Sequence, residues 1–193
     1  MVNIAKEIRT AALLFIAFSL LTGLAYPLFI TGIVNTAIPG KAGGSLLIVD
    51  GNVVGSELLG QKFTSPGYFH GRPSAADYAA NSSGASNYGP TSARLMDLVR
   101  QRVMEIRGEN GMPPNEAVPA DLVLASGSGL DPHISVEGAM LQVGRIARAR
   151  GLSEPNVRAL VNRHVEPAEI GVLGQDRVNV LKLNIGLDDL ARR

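Results

Sequence analysis

The sequence has 193 residues, of which 46% are apolar and only 5% aromatic, and its formal net charge is +1. This length suits one modest domain with an appendage. The near-neutral charge argues against nucleic-acid binding, which needs a basic surface. The chain has no cysteine, which excludes disulfides, a thiol nucleophile and cysteine-ligated metal sites.

The apolar residues are concentrated near the N-terminus. Residues 11–34, AALLFIAFSLLTGLAYPLFITGIV, contain no charged residue. As a helix this block would be about 36 Å long, enough to cross a hydrocarbon core of about 30 Å. A signal peptide has a shorter apolar region, typically about 7–15 residues, and no good A-x-A cleavage site follows here. The block therefore predicts an uncleaved transmembrane helix, kinked at Pro27, a residue that membrane helices tolerate.

The basic residues that flank this helix predict its orientation. Lys6 and Arg9 precede it against one acidic residue, whereas Lys41 is the only basic residue in the twenty that follow it. Positive flanks favour the cytoplasmic side. We therefore expect residues 1–10 in the cytoplasm, and residues 35–193 as an extracytoplasmic (periplasmic) domain of a single-pass protein of the cell (inner) membrane.

Small residues within the predicted membrane helix suggest that it packs against other helices. Gly23 and Gly32 would allow the backbones of partner helices to approach closely. The alternative is that the helix is simply surrounded by lipid.

After the membrane helix, the pattern predicts an α+β domain in which helices cover a small sheet. Asp-Gly at residues 50–51, between two apolar runs, predicts a tight hairpin with strands at 46–49 and 53–54. Residues 64–90 form a long polar, glycine-rich section, and loops of this length are usually functional. Apolar spacing predicts three helices, the first of which stops at Gly108, then a strand and a last helical turn, at residues 91–108, 136–151, 153–165, 178–183 and 186–193.

Several side chains can cap the predicted helices. Thr91 or Ser92 precedes the first helix, Asp131 or Ser135 precedes the second, and Ser153 precedes the third. Their oxygens can accept the free N–H groups of a first helical turn, which is worth about 1 kcal/mol per cap.

The stretch DLVLASGSGLDPHIS, residues 121–135, contains the residue types of a hydrolase triad. Ser126 and Ser128 stand close in sequence to Asp131 and His133. Triad members must converge in space, with a base within hydrogen-bond reach of the nucleophile, and neighbours on one turn rarely do so. The G-x-S-x-G elbow is also missing. We therefore predict no catalytic residue here, and a membrane-anchored extracytoplasmic hydrolase remains the alternative.

The same stretch has a glycine-rich turn that could hold a phosphate. Gly127 and Gly129, between Ser126 and Ser128, allow backbone N–H groups to converge before a helix. No lysine follows as it does in a P-loop. A sharp turn before a capped helix explains these residues equally well. Nucleotide contact at residues 126–129 stays open at this point.

Metal binding is not indicated by the histidines. His70, His133 and His164 stand far apart, without the paired spacing of ligands on one helix. Each histidine is better explained as a surface or hydrogen-bonded structural residue.

The segment YFHGRPSAADY, residues 68–78, has the composition of a binding loop. Tyr68 and Phe69 could be aromatic anchors for a partner, and Arg72 could be a forked hydrogen-bond donor. The alternative is a structured turn in which Arg72 pairs with Asp77.

Six strings in a fixed order identify a family resemblance. Behind a single membrane helix they resemble, over nearly the whole chain, the C subunit of the Kdp potassium-transporting ATPase. No single string is specific, but the ordered set is. Small departures stand at Ala85, where the family commonly has glycine, at Tyr88, a variable position, and at Val136, where proline is frequent. The strings are YFHGRPSA (68–75), SSGASNYGPTS (82–92), DLVLASGSGLDPHIS (121–135), RIARARG (145–151), LVNRHV (160–165) and RVNVLKLN (177–184).

The resemblance implies a non-catalytic accessory subunit of an ATP-driven, high-affinity potassium uptake pump. Its partners would be a channel-like potassium-binding subunit, a P-type ATPase catalytic subunit and a very small membrane subunit. The resemblance also implies that the subunit is necessary for assembly of the pump and acts as a catalytic chaperone that raises the ATP affinity of the pump. The predicted orientation places the domain where ATP is scarce, so we expect no stably bound cofactor and any ATP effect through the complex.

Overall fold

The structure is a computed structural model that describes residues 3–192. The chain divides into two compact units, with the boundary between Leu46 and Leu47. The first unit carries the apolar helix, and the second is a small domain of helices and sheets. This arrangement confirms the predicted α+β fold class with an N-terminal apolar helix.

The N-terminal unit is dominated by one long helix. Among the described residues, Ile4–Ala37 is the one candidate membrane span, with a mean hydropathy of 2.2 and none of its most apolar window buried. It consists of α1 (Ile4–Leu20), a π-helical turn (Leu21–Ala25) and α2 (Tyr26–Ala37). The helix is longer than the predicted apolar block because polar and charged residues continue it at the N-terminal end.

The π-helical turn lies where the sequence predicts a kink. Pro27 has no N–H group, and in a regular helix its ring would clash with the carbonyl of Gly23, four residues earlier. Gly23 belongs to the π-helical turn. The disturbance expected at the proline therefore takes the form of a local change of helical type. A short helix, α3 (Pro39–Ala42), follows.

The predicted hairpin, β1 (Leu46–Val49) and β2 (Asn52–Ser56), lies in the second unit except for Leu46, the first residue of β1. Asp50 and Gly51 adopt φ of +51° and +81°, as a tight Asp-Gly turn requires. The hairpin is confirmed, and its second strand is longer than predicted.

Helix α4 (Ala93–Asn110) begins as predicted, since the Ser92 side chain accepts a hydrogen bond from the Leu95 N–H. Its predicted stop at Gly108 is wrong. The chain continues to Gly111, which takes the left-handed conformation at φ +66° and ends the helix. A short helix, α5 (Ala120–Val123), follows.

The C-terminal half folds around a three-stranded antiparallel sheet of order β3-β5-β4, in which Ile134 and Val165 each oppose Val178. The predicted strand at 178–183 is wrong beyond Asn179. The Asn179 side chain accepts from the Lys182 N–H and starts a helix there, and that helix includes most of the predicted final turn. The elements are β3 (His133–Ser135), α6 (Val136–Arg150), α7 (Glu154–Arg163), β4 (Val165–Glu166), β5 (Arg177–Asn179) and α8 (Val180–Ala191).

The core of the domain lies between this sheet and α6, α7 and α8. Its fully buried members include Val143, Ile146, Val161 and Leu183, one or more from each helix. Phe69 also belongs to this core, although it comes from the irregular segment between β2 and α4. The core therefore fixes that segment as well as the regular elements.

Candidate functional site

The segment between β2 and α4, residues 57–92, has neither helix nor strand but is firmly held. On α8, the Asn184 side chain accepts from the Phe69 N–H at 2.9 Å and donates to the Phe69 carbonyl at 3.0 Å. On α6, the Gln142 side chain accepts from the His70 N–H at 2.8 Å and donates to the His70 carbonyl at 3.1 Å. Both amides are 2% exposed. They satisfy this backbone as a neighbouring strand would.

Arg145 of α6 extends the same network. Its guanidinium, on a side chain that is 5% exposed, donates to the carbonyls of Pro66 and Tyr68, and to Gln142 Oε1 at 2.6 Å. It also donates to Asn110 Oδ1 at 3.1 Å. Burial lowers the pKa of this guanidinium, and the several acceptors around it offset the loss of water. Arg145 therefore serves the scaffold.

Arg150, one helical turn further on, holds the neighbouring part of the loop. Its Nε donates to the Gly67 carbonyl, and its guanidinium lies 4.4 Å from the centroid of the Tyr68 ring. It also pairs with Asp188 at 2.7 Å, and the Tyr68 hydroxyl donates to the same carboxylate at 3.1 Å. Tyr68 is thus held between an arginine and an aspartate of its own chain.

The loop residues predicted as partner contacts have different surroundings. Phe69 is fully buried, so the prediction that it is a partner anchor is wrong: its ring has no surface left for a partner. Tyr68 is half-buried. Arg72 pairs with Asp131 at 2.9 Å, not with Asp77, which binds Lys62 at 2.6 Å.

Asp131 joins the loop to the sheet. It accepts from Arg72 and from the His133 N–H at 3.0 Å, and the His133 ring lies 3.6 Å from it. Burial alone would raise the pKa of Asp131, but hydrogen bonds from His133 and Arg72 outweigh burial and lower the pKa to about 2. Asp131 was a candidate helix cap, and that prediction is wrong because it closes a turn well before α6 begins.

The ion pairs continue from this aspartate across the sheet. Nε2 of His133 lies 3.4 Å from Glu166, which also contacts Lys182 at 3.1 Å. Lys182 in turn pairs with Glu57 at 2.9 Å. The hydrogen bond with Glu57, followed by the one with Glu166, raises the pKa of Lys182 against the effect of burial. Acidic side chains thus alternate with arginine, histidine and lysine side chains from Arg72 to Glu57.

The Ser-Gly-Ser-Gly turn uses its hydroxyls internally. Ser126 Oγ accepts from the Gly129 N–H at 3.0 Å, and Ser128 Oγ accepts from the Leu130 N–H at 3.1 Å. Gly129 has φ +70°, and a Cβ there would lie 2.9 Å from the Gly84 carbonyl oxygen. The turn thus closes against the long loop.

The neighbouring loop contributes two further bonds to this turn. The Gly84 N–H donates to the Ser128 carbonyl at 2.9 Å, and Ser74 Oγ donates to the Gly129 carbonyl at 2.6 Å. Gly127 differs from Gly129, since a Cβ added there would meet nothing within 4 Å. The contacts seen at this turn are scaffold contacts.

The triad residue types do not assemble into a nucleophile and base. Within residues 3–192, no hydrogen bond joins Ser126 or Ser128 to a histidine ring. The His133 ring faces two carboxylates, Asp131 and Glu166. Ser126 is itself 4% exposed. The arrangement lacks the geometry that serine hydrolysis requires.

The two remaining cap predictions, Ser135 and Ser153, have different outcomes. Ser135 caps α6, with its Oγ accepting from the Gly138 N–H at 2.9 Å, and it is held in turn by Asp121, to which the hydroxyl donates at 3.0 Å. Ser153 occupies the N-cap position immediately before α7, as predicted, but its side chain makes no capping hydrogen bond. The predicted bond to its hydroxyl oxygen is therefore wrong, and only its carbonyl accepts from the helix, from the Asn156 and Val157 N–H groups.

An open cavity of about 380 Å³ lies beside the long loop. Its wall carries charges of both signs, from Lys62, Arg72, Arg102, Asp77, Glu105 and Glu109. His70 also lines it, where burial and then Arg145 lower the pKa of the imidazole. Within residues 3–192, no group of three or more histidine, aspartate or glutamate side chains is placed to hold a metal ion.

Gly23 and Gly32 leave open space along the apolar helix. A Cβ added at either would meet nothing within 4 Å. The chain itself therefore does not require glycine at these positions.

Comparison with known proteins identifies the family of the chain. The family described as "KdpC: K+-transporting ATPase, c chain" matches residues 8–189. The chain belongs to this family.

Two of the relatives that match at nearly full length carry the same name. A protein of Cereibacter sphaeroides (strain KD131 / KCTC 12085), named "Potassium-transporting ATPase KdpC subunit", is 52% identical over 94% of this chain and 96% of its own. One of the same name from Rhodopseudomonas palustris (strain BisB5) is 50% identical over 97% of this chain and 99% of its own. The resemblance seen in the six ordered strings is confirmed.

Proposed function

We propose that this chain is a non-catalytic accessory subunit of an ATP-driven potassium uptake pump, required for the assembly and stability of the complex. The observation that carries the proposal is the family match over residues 8–189, which includes both the candidate membrane span and the domain. The engagement of Ser126, Ser128 and His133 in turns and ion pairs supports a structural role over the alternative hydrolase.

The domain would act outside the cytoplasm. Lys6 and Arg9 before the apolar helix, against Lys41 alone after it, support a cytoplasmic N-terminus. There the domain contacts the channel-like potassium-binding subunit and stabilises or gates the potassium entrance. Gly23 and Gly32 would face helices of the partner subunits, the P-type ATPase subunit and the small membrane subunit included.

A catalytic-chaperone role belongs to the same proposal. If the pump binds ATP more tightly in the presence of this chain, the effect passes through the complex, since the domain and the ATP site lie on opposite sides of the membrane. One N–H group of the Ser-Gly-Ser-Gly turn, that of Gly129, and the N–H group of Leu130 directly after it already donate to the serine hydroxyls of the turn. Because these N–H groups are already bonded within the chain, the contacts support an indirect effect on ATP binding rather than direct contact with the nucleotide.

Affinity purification in mild detergent tests the proposal. The tagged full chain should recover two large membrane subunits and one very small one, whereas recovery of the chain alone would contradict an assembly role.

Removing residues 36–193 should abolish assembly or lower potassium affinity. Protease added to sealed spheroplasts should cleave the domain and leave residues 1–34 protected. An uncut domain would contradict the proposed orientation.

Ser126→Ala and His133→Ala distinguish the hydrolase alternative. A pump subunit carrying either change should still support potassium-stimulated ATP hydrolysis wherever the domain remains folded. A folded variant that has lost a hydrolytic activity of the isolated chain would favour the hydrolase instead.

A further inference from the structure

The β4–β5 loop, residues 167–176, presents apolar side chains outward. Ile170 is 88% exposed, Val172 79% and Leu173 58%. Ile170 and Val172 exceed every other large apolar side chain among the described residues, including those of the candidate membrane span. Exposed apolar residues grouped at one point, unlike scattered ones, mark interaction sites.

Backbone hydrogen bonds give this loop a defined form. The Glu169 N–H donates to the Leu173 carbonyl and the Leu173 N–H to the Glu169 carbonyl, both at 2.9 Å. The Gly171 N–H donates to the Ala168 carbonyl at 3.0 Å, and the Ala168 N–H to Asp176 Oδ1 at 3.0 Å. The loop is therefore a closed turn that holds its apolar tip in place, not a loose connection.

The tip also carries backbone strain. Ile170 has φ +56°, in the left-handed region that β-branched residues strongly disfavour. Such a conformation costs about 1–2 kcal/mol, and glycine or asparagine would adopt it more easily. The hydrogen bonds of the closed turn hold this backbone conformation, but they do not require an isoleucine there, and its side chain is almost entirely in water. Strained and exposed together, the residue is better explained by contact with something outside the chain.

Charges around the loop indicate what that contact is. The two charged residues of the loop itself, Glu169 and Asp176, are both acidic. At its base Glu166 is balanced by Lys182 at 3.1 Å and by Arg177 at 3.7 Å, and Arg177 also lies 3.6 Å from Glu169. The surplus of negative charge opposes docking on a bilayer of anionic lipids. It favours a protein surface on which basic residues surround an apolar pocket.

We propose that the tip of the β4–β5 loop, Ile170, Val172 and Leu173, is an anchor that inserts into a basic-rimmed apolar pocket of another subunit of the same assembly. This inference rests on the proposed function, because it requires that the chain is a subunit of a complex. It adds the segment that makes the contact and the chemistry of the surface that receives it.

Site-specific crosslinking tests the anchor. The chain has no cysteine, so Val172→Cys provides a unique thiol in this chain, which is labelled with a benzophenone maleimide before it is assembled into the full complex. Irradiation should join residue 172 to another protein subunit. Met104→Cys on α4, 67% exposed, is the matched exposed position and should give a much weaker crosslink. Adducts of residue 172 only with lipid or with a second copy of the chain, or no adduct in an intact complex, would overturn the inference.

A pair of substitutions separates anchoring from folding. Ile170→Asn introduces a residue that tolerates the left-handed conformation and removes the apolar side chain that would make the contact. It should lower retention of the chain in the complex about tenfold or more, as loss of an interface anchor does, while the thermal unfolding temperature of the chain is unchanged or higher. Val172→Ile, which keeps the tip apolar, should retain the complex.

These outcomes separate the two proposals. Failure of the wild-type chain to recover other subunits would contradict the proposed function itself. Full recovery of both wild type and Ile170→Asn would contradict the anchor alone. A fall in unfolding temperature that parallels the loss of retention would assign the loop a structural role and overturn the anchor.

Discussion

The N-terminal helix and the C-terminal domain differ in the residues that they expose and bury. Along Ile4–Ala37, apolar side chains such as Phe15 and Phe29 are exposed, at 74% and 66%. The domain has an apolar core and also buries polar side chains such as Gln142 and Asn184, at 2% exposure each. The environment of the helix must come from outside the chain, whereas the domain satisfies its own polar groups.

The domain is therefore stabilised by contacts within the chain, whereas the apolar helix is not. A substitution in the polar network of the domain should change the stability of the chain itself. A substitution on the apolar helix should leave that stability unchanged and act only through partners. The predictions that follow test this distinction, from the largest expected effect on the stability of the chain to the smallest.

Asn184→Leu should cause the greatest loss of stability of the chain. It leaves the N–H and carbonyl of Phe69 buried without partners, and such groups cost about 1–3 kcal/mol each, so we expect the free energy of unfolding to fall by about 3 kcal/mol. Denaturant titration of the full chain in mild detergent measures this. Asn156→Leu, at an exposed position of α7, is the control. Equal effects of the two changes would contradict the role of Asn184.

Gly129→Ala should cause the next largest loss of stability. Its Cβ would lie 2.9 Å from the Gly84 carbonyl oxygen at φ +70°, so strain and steric contact should lower stability by about 2 kcal/mol. Gly127→Ala, with open space around the added methyl, should change stability by less than about 0.5 kcal/mol. The same titration compares them. If Gly127→Ala were the more damaging, the turn would not be explained as scaffold.

Asp131→Asn should have a pH-dependent effect of similar or smaller size. The pKa of Asp131 lies at about 2 in the folded chain, below its ordinary 3.8, so the folded state binds its proton less readily. The resulting stabilisation, about 2 kcal/mol, is complete above the ordinary pKa and disappears as pH falls toward the folded value. Unfolding of wild type and variant between pH 7 and pH 2 should therefore converge at the acid end. A constant difference across that range would contradict this.

Much of the scaffold could be predicted from sequence. The apolar block, the Asp-Gly hairpin, the caps at Ser92 and Ser135 and the glycine stop of α6 at Gly151 follow from local rules, and the structure has each of them. These features depend on residues close together in the chain, where periodicity and capping are strong signals.

The long loop could not be predicted in the same way. Its contacts join Phe69 to Asn184 and Arg72 to Asp131, residues far apart in sequence, and spacing gives no information about such pairs. Phe69 therefore resembled an exposed anchor although it is core. The strand predicted beyond Asn179 failed because β-branched and leucine residues suit both states, and the Asn179 cap decides for a helix. The missing information was that buried amides on two helices, α6 and α8, bind the backbone of the loop.

The double substitution Gly23→Leu and Gly32→Leu should have the smallest effect on the chain itself. Because added side chains meet open space at both positions, its unfolding should be unchanged within about 0.5 kcal/mol. Recovery of partner subunits in mild detergent should nevertheless fall, since bulky residues prevent close helix approach. Unchanged recovery would favour a helix surrounded only by lipid.

Potassium-stimulated ATP hydrolysis, measured on the pump purified with and without this chain, tests the central claim most directly. With the full chain present, we expect an intact complex that hydrolyses ATP at low potassium concentration. Without it, we expect loss of assembly or a large loss of potassium-stimulated activity. A complete and fully active pump in the absence of the chain would contradict its role as a required subunit.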